Sequence, residues 1–174
     1  RLNPRHPNID YAYFMKGLSS YTRDRDMLIR LTNTDISNRD ISGAKESFSE
    51  LNEFVTRFPD SQYAPYAKQR NIYLRNMIAK NELAAADYYL KISAYVAALR
   101  RANYVVENIP NSSENFRALK ILEKCYEQLG YLDLLSDIRK IIKINYPDRV
   151  SEEFKKEPSW SWNFLQRPMK SDND

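Results

Sequence analysis

The sequence predicts an all-α chain of stacked helix pairs, and three observations carry that expectation. Only three glycines, Gly17, Gly43 and Gly130, occur in 174 residues, and Asn-Gly and Asp-Gly steps are scarce, so the tight turns of β-hairpins lack their usual residues. A proline-centred tetrad recurs three times, as Phe58-Pro59-Asp60-Ser61, Ile109-Pro110-Asn111-Ser112 and Tyr146-Pro147-Asp148-Arg149. Between these stops lie long runs without interior Pro or Gly, in which apolar residues return at three- and four-residue steps. With 43% apolar residues, including 13 Tyr, 7 Phe and 2 Trp, the chain has enough apolar surface to bury a core.

Taken in order, the first element is an amphipathic helix from about Ile9 to Leu31, with Tyr11, Phe14, Leu18 and Tyr21 as a stripe that reads as core packing. The polar segment Thr32 to Asp40 replaces a tight turn. Its short side chains Asp35, Ser37, Arg39 and Asp40 are suited to bonding backbone groups and capping the next helix, about Ser42 to Arg57. Proline cannot continue a helix and pushes its predecessor to extended geometry, so each tetrad ends a helix, and the adjoining Asp or Asn is expected to cap the following one. Pro59 and Pro110 are 51 residues apart, which calls for an unusually long helix from about Ala64 to about Lys91. Helix formers fill Lys68 to Lys80, with Tyr73, Leu74 and Met77 at helical steps.

Counting back from each proline, the fifth position is Phe54, Val105 or Ile142 and the twelfth is Ser47, Ala98 or Leu135, a shared and mostly apolar register. In the last unit Phe116 opens the first helix, and Tyr126, Gly130, Leu135, Ile142 and Pro147 stand at the spacings of the 34-residue tetratricopeptide pattern, with Gly130 in the turn. The middle unit keeps Ala86, Tyr89, Ala98, Ala102 and Val105, small residues where helices approach and bulky ones where they interlock. The expected architecture is a tetratricopeptide-like right-handed α-solenoid of about three helix pairs, at about residues 9–60, 61–112 and 116–149, followed by a tail over residues 150–174. The opening Arg1-Leu2-Asn3-Pro4 reads as the end of a preceding helix, so earlier repeats and any targeting signal are expected to be missing.

Several function classes drop out. Three scattered glycines cannot build a phosphate-cradling loop or a dinucleotide fingerprint. One cysteine, Cys125, forbids an intrachain disulfide, and with His6 as the sole histidine the usual structural zinc sets cannot be assembled. His6, beside Pro7, is poorly placed as a catalytic base, and no paired carboxylates stand out, so neither enzyme nor cofactor is expected. The longest uncharged run, Pro158 to Gln166, is nine residues, far below the roughly 20 needed to cross a bilayer.

What remains is recognition. Arg100 and Arg101 lie beside the apolar stripe Ala98, Ala102 and Val105, placed to project toward solvent or a partner carboxylate. Arg117, Lys120 and Lys124, spaced by three and four, stack positive charge on one helix face that lines the groove in the tetratricopeptide register. Cys125 reads as a small core residue. Glu152 to Glu157 reads as solvated. Trp160, Trp162 and Phe164 alternate, so an extended segment points all three to one side, as a cap on the solenoid or as a docking strand. A net charge of +4 and a pI near 9.0 leave a basic module for nucleic acid or acidic peptides as the alternative, with a margin of only four charges.

The residues Arg1-Leu2-Asn3-Pro4, His6-Pro7-Asn8-Ile9-Asp10-Tyr11 and Met15-Lys16-Gly17-Leu18 begin an ordered series. It runs on through Asp35, Ser37 and Arg39-Asp40 to Ala44, Phe48 and Phe58-Pro59-Asp60-Ser61-Gln62-Tyr63. Ala79-Lys80-Asn81-Glu82, Ala86-Asp87-Tyr88-Tyr89 and Ala94-Tyr95-Val96-Ala97 complete it. Together these resemble the BamD family, tetratricopeptide lipoproteins of the outer-membrane β-barrel assembly machinery. The resemblance implies a non-enzymatic scaffold at the periplasmic face of the outer membrane, tethered in the full-length protein by an N-terminal lipid that this otherwise soluble fragment lacks. It implies as partners the membrane-proximal POTRA domain of the barrel subunit, other lipoproteins of the machinery and unfolded outer-membrane protein segments, and no nucleic acid. A family residue that contacts the POTRA domain falls on Arg101, whereas a second family arginine falls on Ile92, a departure from the pattern.

Overall fold

The computed structural model describes residues 6–25 and 41–150, with backbone alone for 22–25. All regular structure there is helical: α1 (Ile9–Arg25), α2 (Ser42–Arg57), α3 (Ala64–Lys91), α4 (Tyr95–Asn108), α5 (Asn115–Leu129) and α6 (Leu132–Asn145), closed by a 3₁₀ turn at Pro147–Arg149. The Asp35 to Asp40 loop, the proposed continuation of the first helix to Leu31 and the row Trp160, Trp162 and Phe164 lie outside the described residues. Each helix packs on the next in the chain, and α3 also reaches α5. This is the stacked arrangement of a tetratricopeptide-like α-solenoid.

The tetrads act as one repeated device. Phe58, Ile109 and Tyr146, each before a proline, leave the helix at φ −130, −126 and −138 with ψ near 60. Each donates its N–H to the carbonyl four residues back, on Phe54, Val105 and Ile142, at 2.8 to 3.0 Å. Those three acceptors and the twelfth positions Ser47, Ala98 and Leu135 are all buried. The capping partner differs from expectation: the Asp or Asn after proline makes no side-chain cap. Instead Ser61 Oγ accepts from the N–H of Tyr63 at 3.3 Å and Ser112 Oγ from that of Glu114 at 3.1 Å, because the serine stands two residues before the next turn's free amides. Asn111 instead takes a left-handed backbone, φ 60.

Within the last two pairs the turn is also shared. The N–H of Tyr131 reaches the carbonyl of Tyr126 at 3.0 Å across Gly130, φ 73, and that of Ala94 reaches Tyr89 at 2.9 Å across Ser93, φ 59. Both are helix ends that require a left-handed residue, which glycine adopts freely and serine does not.

Between α1 and α2 the backbones come close at Gly17. A Cβ there would stand 2.6 Å from Cδ2 of Leu51, a fully buried residue, and Ser47 Oγ donates to the Gly17 carbonyl at 2.6 Å across the same gap. The α1 stripe turns toward the second pair: Phe14 stacks on Tyr63 at 5.0 Å, and the edge of Tyr21 meets Tyr73 with the Arg70 guanidinium 4.3 Å over its ring. Phe14 and Tyr21 are buried, Leu18 is half-buried, and Tyr11 lies at the edge against Tyr63. The motif residues around Asp10 and Ser61 therefore meet in space, with Ser61 Oγ donating to Asp10 Oδ2 at 2.6 Å. That bond, with the Tyr11 amide, holds the Asp10 carboxyl below its ordinary value. At the other end, α6 is held to α5 by Arg139, whose Nε donates to Glu123 Oε1 at 2.8 Å while Lys120 donates to Oε2 at 2.7 Å.

Three outcomes follow from these contacts. Gly17→Val overpacks the α1–α2 crossing and lowers stability by about 1–3 kcal/mol, read as a lower urea midpoint by circular dichroism. Ser93→Gly relieves the left-handed strain and raises the midpoint by about 1 kcal/mol equivalent. Burial pushes the Glu123 carboxyl up, but the bonds from Lys120 and Arg139 outweigh it and hold its pKa below the ordinary carboxylate value. A depressed carboxylate stabilises above its unfolded value and loses that contribution as pH falls through the folded one. Between about pH 5 and about pH 3 the wild type therefore loses stability more steeply than Glu123→Gln.

Candidate functional site

A carboxylate organises a surface concavity where α2, α3 and α4 meet. Glu82 lies on the buried side of α3 among Ile78, Ala79, Leu83 and Ala86, and its side chain is only 5% exposed. A lone buried carboxylate would lose most of its hydration, so its oxygens need cations. Lys45 from α2 donates to Oε1 at 2.7 Å, and Arg101 Nη1 from α4 donates to Oε2 at 3.0 Å. Lys45 also sits 5.4 Å over the ring of Tyr104, so one acidic group ties three helices and two repeat pairs together.

Around this cluster opens a groove of about 850 Å³, walled by Tyr89 at the end of α3, by Tyr95, Ala97, Arg100 and Tyr104 of α4, and by Leu129 of α5. The hydrogen bond to Glu82 raises the Arg101 pKa against the opposing pull of burial, with Tyr89 adding to the rise, so the guanidinium is a permanent cation. Its head is anchored yet the side chain stays 47% exposed, which leaves donors available to a second acceptor. Arg100 is exposed on the same wall and makes no ion pair among the described residues. Three cations, Lys45, Arg100 and Arg101, against the one carboxylate leave the groove at net +2. Ile92 and Val96 add apolar surface at the α3–α4 turn, both about half exposed. The groove is thus both amphipathic and cationic.

The other basic residues singled out from the sequence are not brought there. Arg117, Lys120 and Lys124 share a face of α5 and do not line the groove around Glu82. Two of them face carboxylates of the chain instead. Arg117, 16% exposed, pairs with the buried Asp87 of α3 and with Glu114 at 3.4 Å, closing the α3–α5 seam. Lys120 is spent on Glu123, and Lys124 is partly buried with interactions of its own. His6 Nδ1 accepts the Asn8 amide at 3.1 Å just before α1, a local role at the helix start. Cys125 is fully buried in α5, and burial pushes its thiol up to about 11, which leaves it without thiolate character. Among the described residues no group of three or more His, Cys, Asp or Glu is placed to hold a metal ion, and no helix is long and apolar enough to cross a membrane.

Sequence reasoning missed Glu82 and Asp87. Their signal was present, since on α3 they fall in step with buried Ala79, Leu83, Ala86 and Leu90, where an acidic residue must meet a cation.

Comparison with known proteins covers most of the chain. A family described as YfiO, outer membrane lipoprotein, matches residues 1–141. Curated relatives named outer membrane protein assembly factor BamD include one from Neisseria meningitidis serogroup A, 37% identical over 147 residues, which are 84% of this chain and 55% of that protein. One from Xylella fastidiosa is 36% identical over 160 residues, 92% of this chain and 55% of its own length. One from Vibrio cholerae is 32% identical over 145 residues, 83% and 60%. The chain therefore spans little more than half the length of these relatives. Matched over more than four-fifths of its residues, and with the solenoid now in view, the chain belongs to the YfiO family of outer membrane lipoproteins, that of the BamD assembly factors.

Proposed function

We propose that this chain is a non-enzymatic scaffold in the assembly of β-barrel proteins into the outer membrane, working at its periplasmic face. Its Glu82-anchored groove holds the membrane-proximal POTRA domain of the barrel subunit. The observation that carries the reading is Arg101, the position on which the family contact falls, held at a partly exposed site by a buried carboxylate. Because Glu82 already fixes one side of the guanidinium, a partner carboxylate meets a donor whose ordering cost is largely paid on folding. Arg100 supplies a second, freer cation on the same wall, and Tyr95, Tyr104 and Val96 supply apolar area around it. Where the family pattern has another arginine, Ile92 offers apolar contact instead, so this chain leans on fewer ion pairs at that edge. The names of the relatives, outer membrane protein assembly factors, support the same reading. Other lipoproteins of the machinery and unfolded outer-membrane protein segments are its remaining partners. A nucleic-acid role finds less support, since Lys45, Arg101, Arg117, Lys120 and Arg139 each already face a carboxylate of the chain.

The test is titration with a purified POTRA array by calorimetry at low and high salt. Charge reversal at Arg101 would set two carboxylates side by side with Glu82, so the informative variant is Arg101→Gln, with Lys45 still in place on Glu82. It should weaken binding about tenfold, about 1.4 kcal/mol, flatten the salt dependence and leave the helical circular-dichroism signal intact. Unchanged affinity would remove Arg101 from the site.

A further inference from the structure

We propose that Arg70, held against two tyrosine rings on the side of α3 away from Glu82, anchors a second binding site. Its ligand is an extended polypeptide segment that carries a carboxylate between aromatic side chains. The Arg70 guanidinium carbon lies 4.3 Å from the ring centroid of Tyr21 and 5.1 Å from that of Tyr73. The two rings meet edge to face and their hydroxyls come within 3.5 Å, which closes the clamp. Ring faces hold this cation where carboxylates hold the others, since Arg70 makes no ion pair or hydrogen bond among the described residues. Only its Nε is both buried and unbonded, so the two Nη groups, equally without partners, keep contact with solvent.

The surface around this fork is long and mostly aromatic. At 100° per residue, Tyr66, Arg70, Tyr73, Met77, Ala84 and Tyr88 fall within about 60° of the α3 circumference and span about 33 Å of its length. None of the six is buried, and Tyr66, Tyr73 and Tyr88 are 54%, 46% and 54% exposed. The two acidic residues of α3, Glu82 and Asp87, lie outside the arc and are paired with Lys45, Arg101 and Arg117. Tyr73 stands nine residues before Glu82, half a turn of the helical wheel away, so the row lies opposite the Glu82 groove and is independent of what that groove holds. Phe14 of α1 meets Tyr66 edge-on at 5.7 Å, which carries the aromatic floor onto the neighbouring helix.

The chemistry of the row selects its occupant. A free guanidinium edge fits a carboxylate bidentately, and because the rings fix its plane, little side-chain entropy remains to be lost. One cation among rings is a poor cradle for a nucleic-acid backbone, which needs several. A second copy docked by a two-fold axis would set Arg70 against the same row, which offers it no acid. An extended segment fits the spacing. Arg70 lies about 6 Å along the helix from Tyr66 and about 4.5 Å from Tyr73, and side chains on one side of a strand recur about every 7 Å. A carboxylate with an aromatic residue two positions to either side therefore meets the fork while its rings lie on Tyr66 and between Tyr73 and Met77.

The test is a titration of the nitrogen-15-labelled full chain with the blocked peptide acetyl-Phe-Ser-Glu-Ser-Phe-amide, followed by nuclear magnetic resonance. The Arg70 Nε–H signal, identified by its loss in Arg70→Lys, should move with an apparent Kd on the order of 1 mM. The peptide with Gln in place of Glu should bind roughly fivefold more weakly. Arg70→Lys keeps the charge but loses the planar fork, and Tyr73→Leu keeps apolar area but loses a ring. Each should weaken binding, read on the backbone amides of α3, roughly fivefold with helical circular dichroism retained. An Arg70 signal that stays still up to about 10 mM peptide would overturn the proposal. So would equal binding of the Gln peptide, unchanged affinity in both variants, or saturation by inorganic phosphate at the same concentrations, which marks a fork that takes any anion. Shifts centred on Arg100 and Arg101 would also overturn it, because they put the peptide in the Glu82 groove.

Discussion

Burying Glu82 and Asp87 on α3 costs several kcal/mol per ion unless cations reach them, and the cations come from the neighbouring pairs. Glu82 is met by Lys45 of the first pair and Arg101 of its own, and Asp87 by Arg117 of the third. Such pairs add little net stability over apolar packing of the same shape, but they act as alignment pins. Sliding α4 or α5 by one turn along α3 would leave a carboxylate facing apolar side chains. The seams between pairs therefore close in one register, and the length of α3, 28 residues, lets both pins sit on one rod.

That rod also explains how the groove comes to exist. Glu82 lies where α2, α3 and α4 converge, and the α3–α4 turn at Ser93 swings α4 so that Arg100 and Arg101 flank the cluster. One charged group does two things: the carboxylate that positions α4 also fixes the Arg101 guanidinium on the groove wall. A surface arginine without such an anchor would sample many rotamers and lose most of its binding gain to their entropy.

Much of this was legible in the sequence. The bounds of α2 and α3 coincide with those read from the tetrads and the absence of breakers, because proline stops and helix formers act locally and do not depend on what packs above them. The shared fifth and twelfth positions all proved buried, since a repeated register implies a repeated seat. The site was less legible. Periodicity placed Arg117 and Lys120 on one face, but which neighbour that face meets depends on Asp87, a residue thirty positions away. Arg101 was visible as a candidate, whereas its tether to Glu82 was not, because a salt bridge nineteen residues apart across two helices leaves no mark in local spacing. Ser93 carries a conformation that composition assigns to glycine, and only the matching position of Gly130 hints at it.

The depth of Cys125 has a consequence for how the chain meets oxidants. A solitary sulfur on the surface would be driven toward sulfenic acid or mixed disulfides and would staple molecules together. Sealed within α5 and kept protonated, it offers oxidants no nucleophile, so the chain keeps a soft, well-fitting atom in its interior without the hazard of covalent cross-linking.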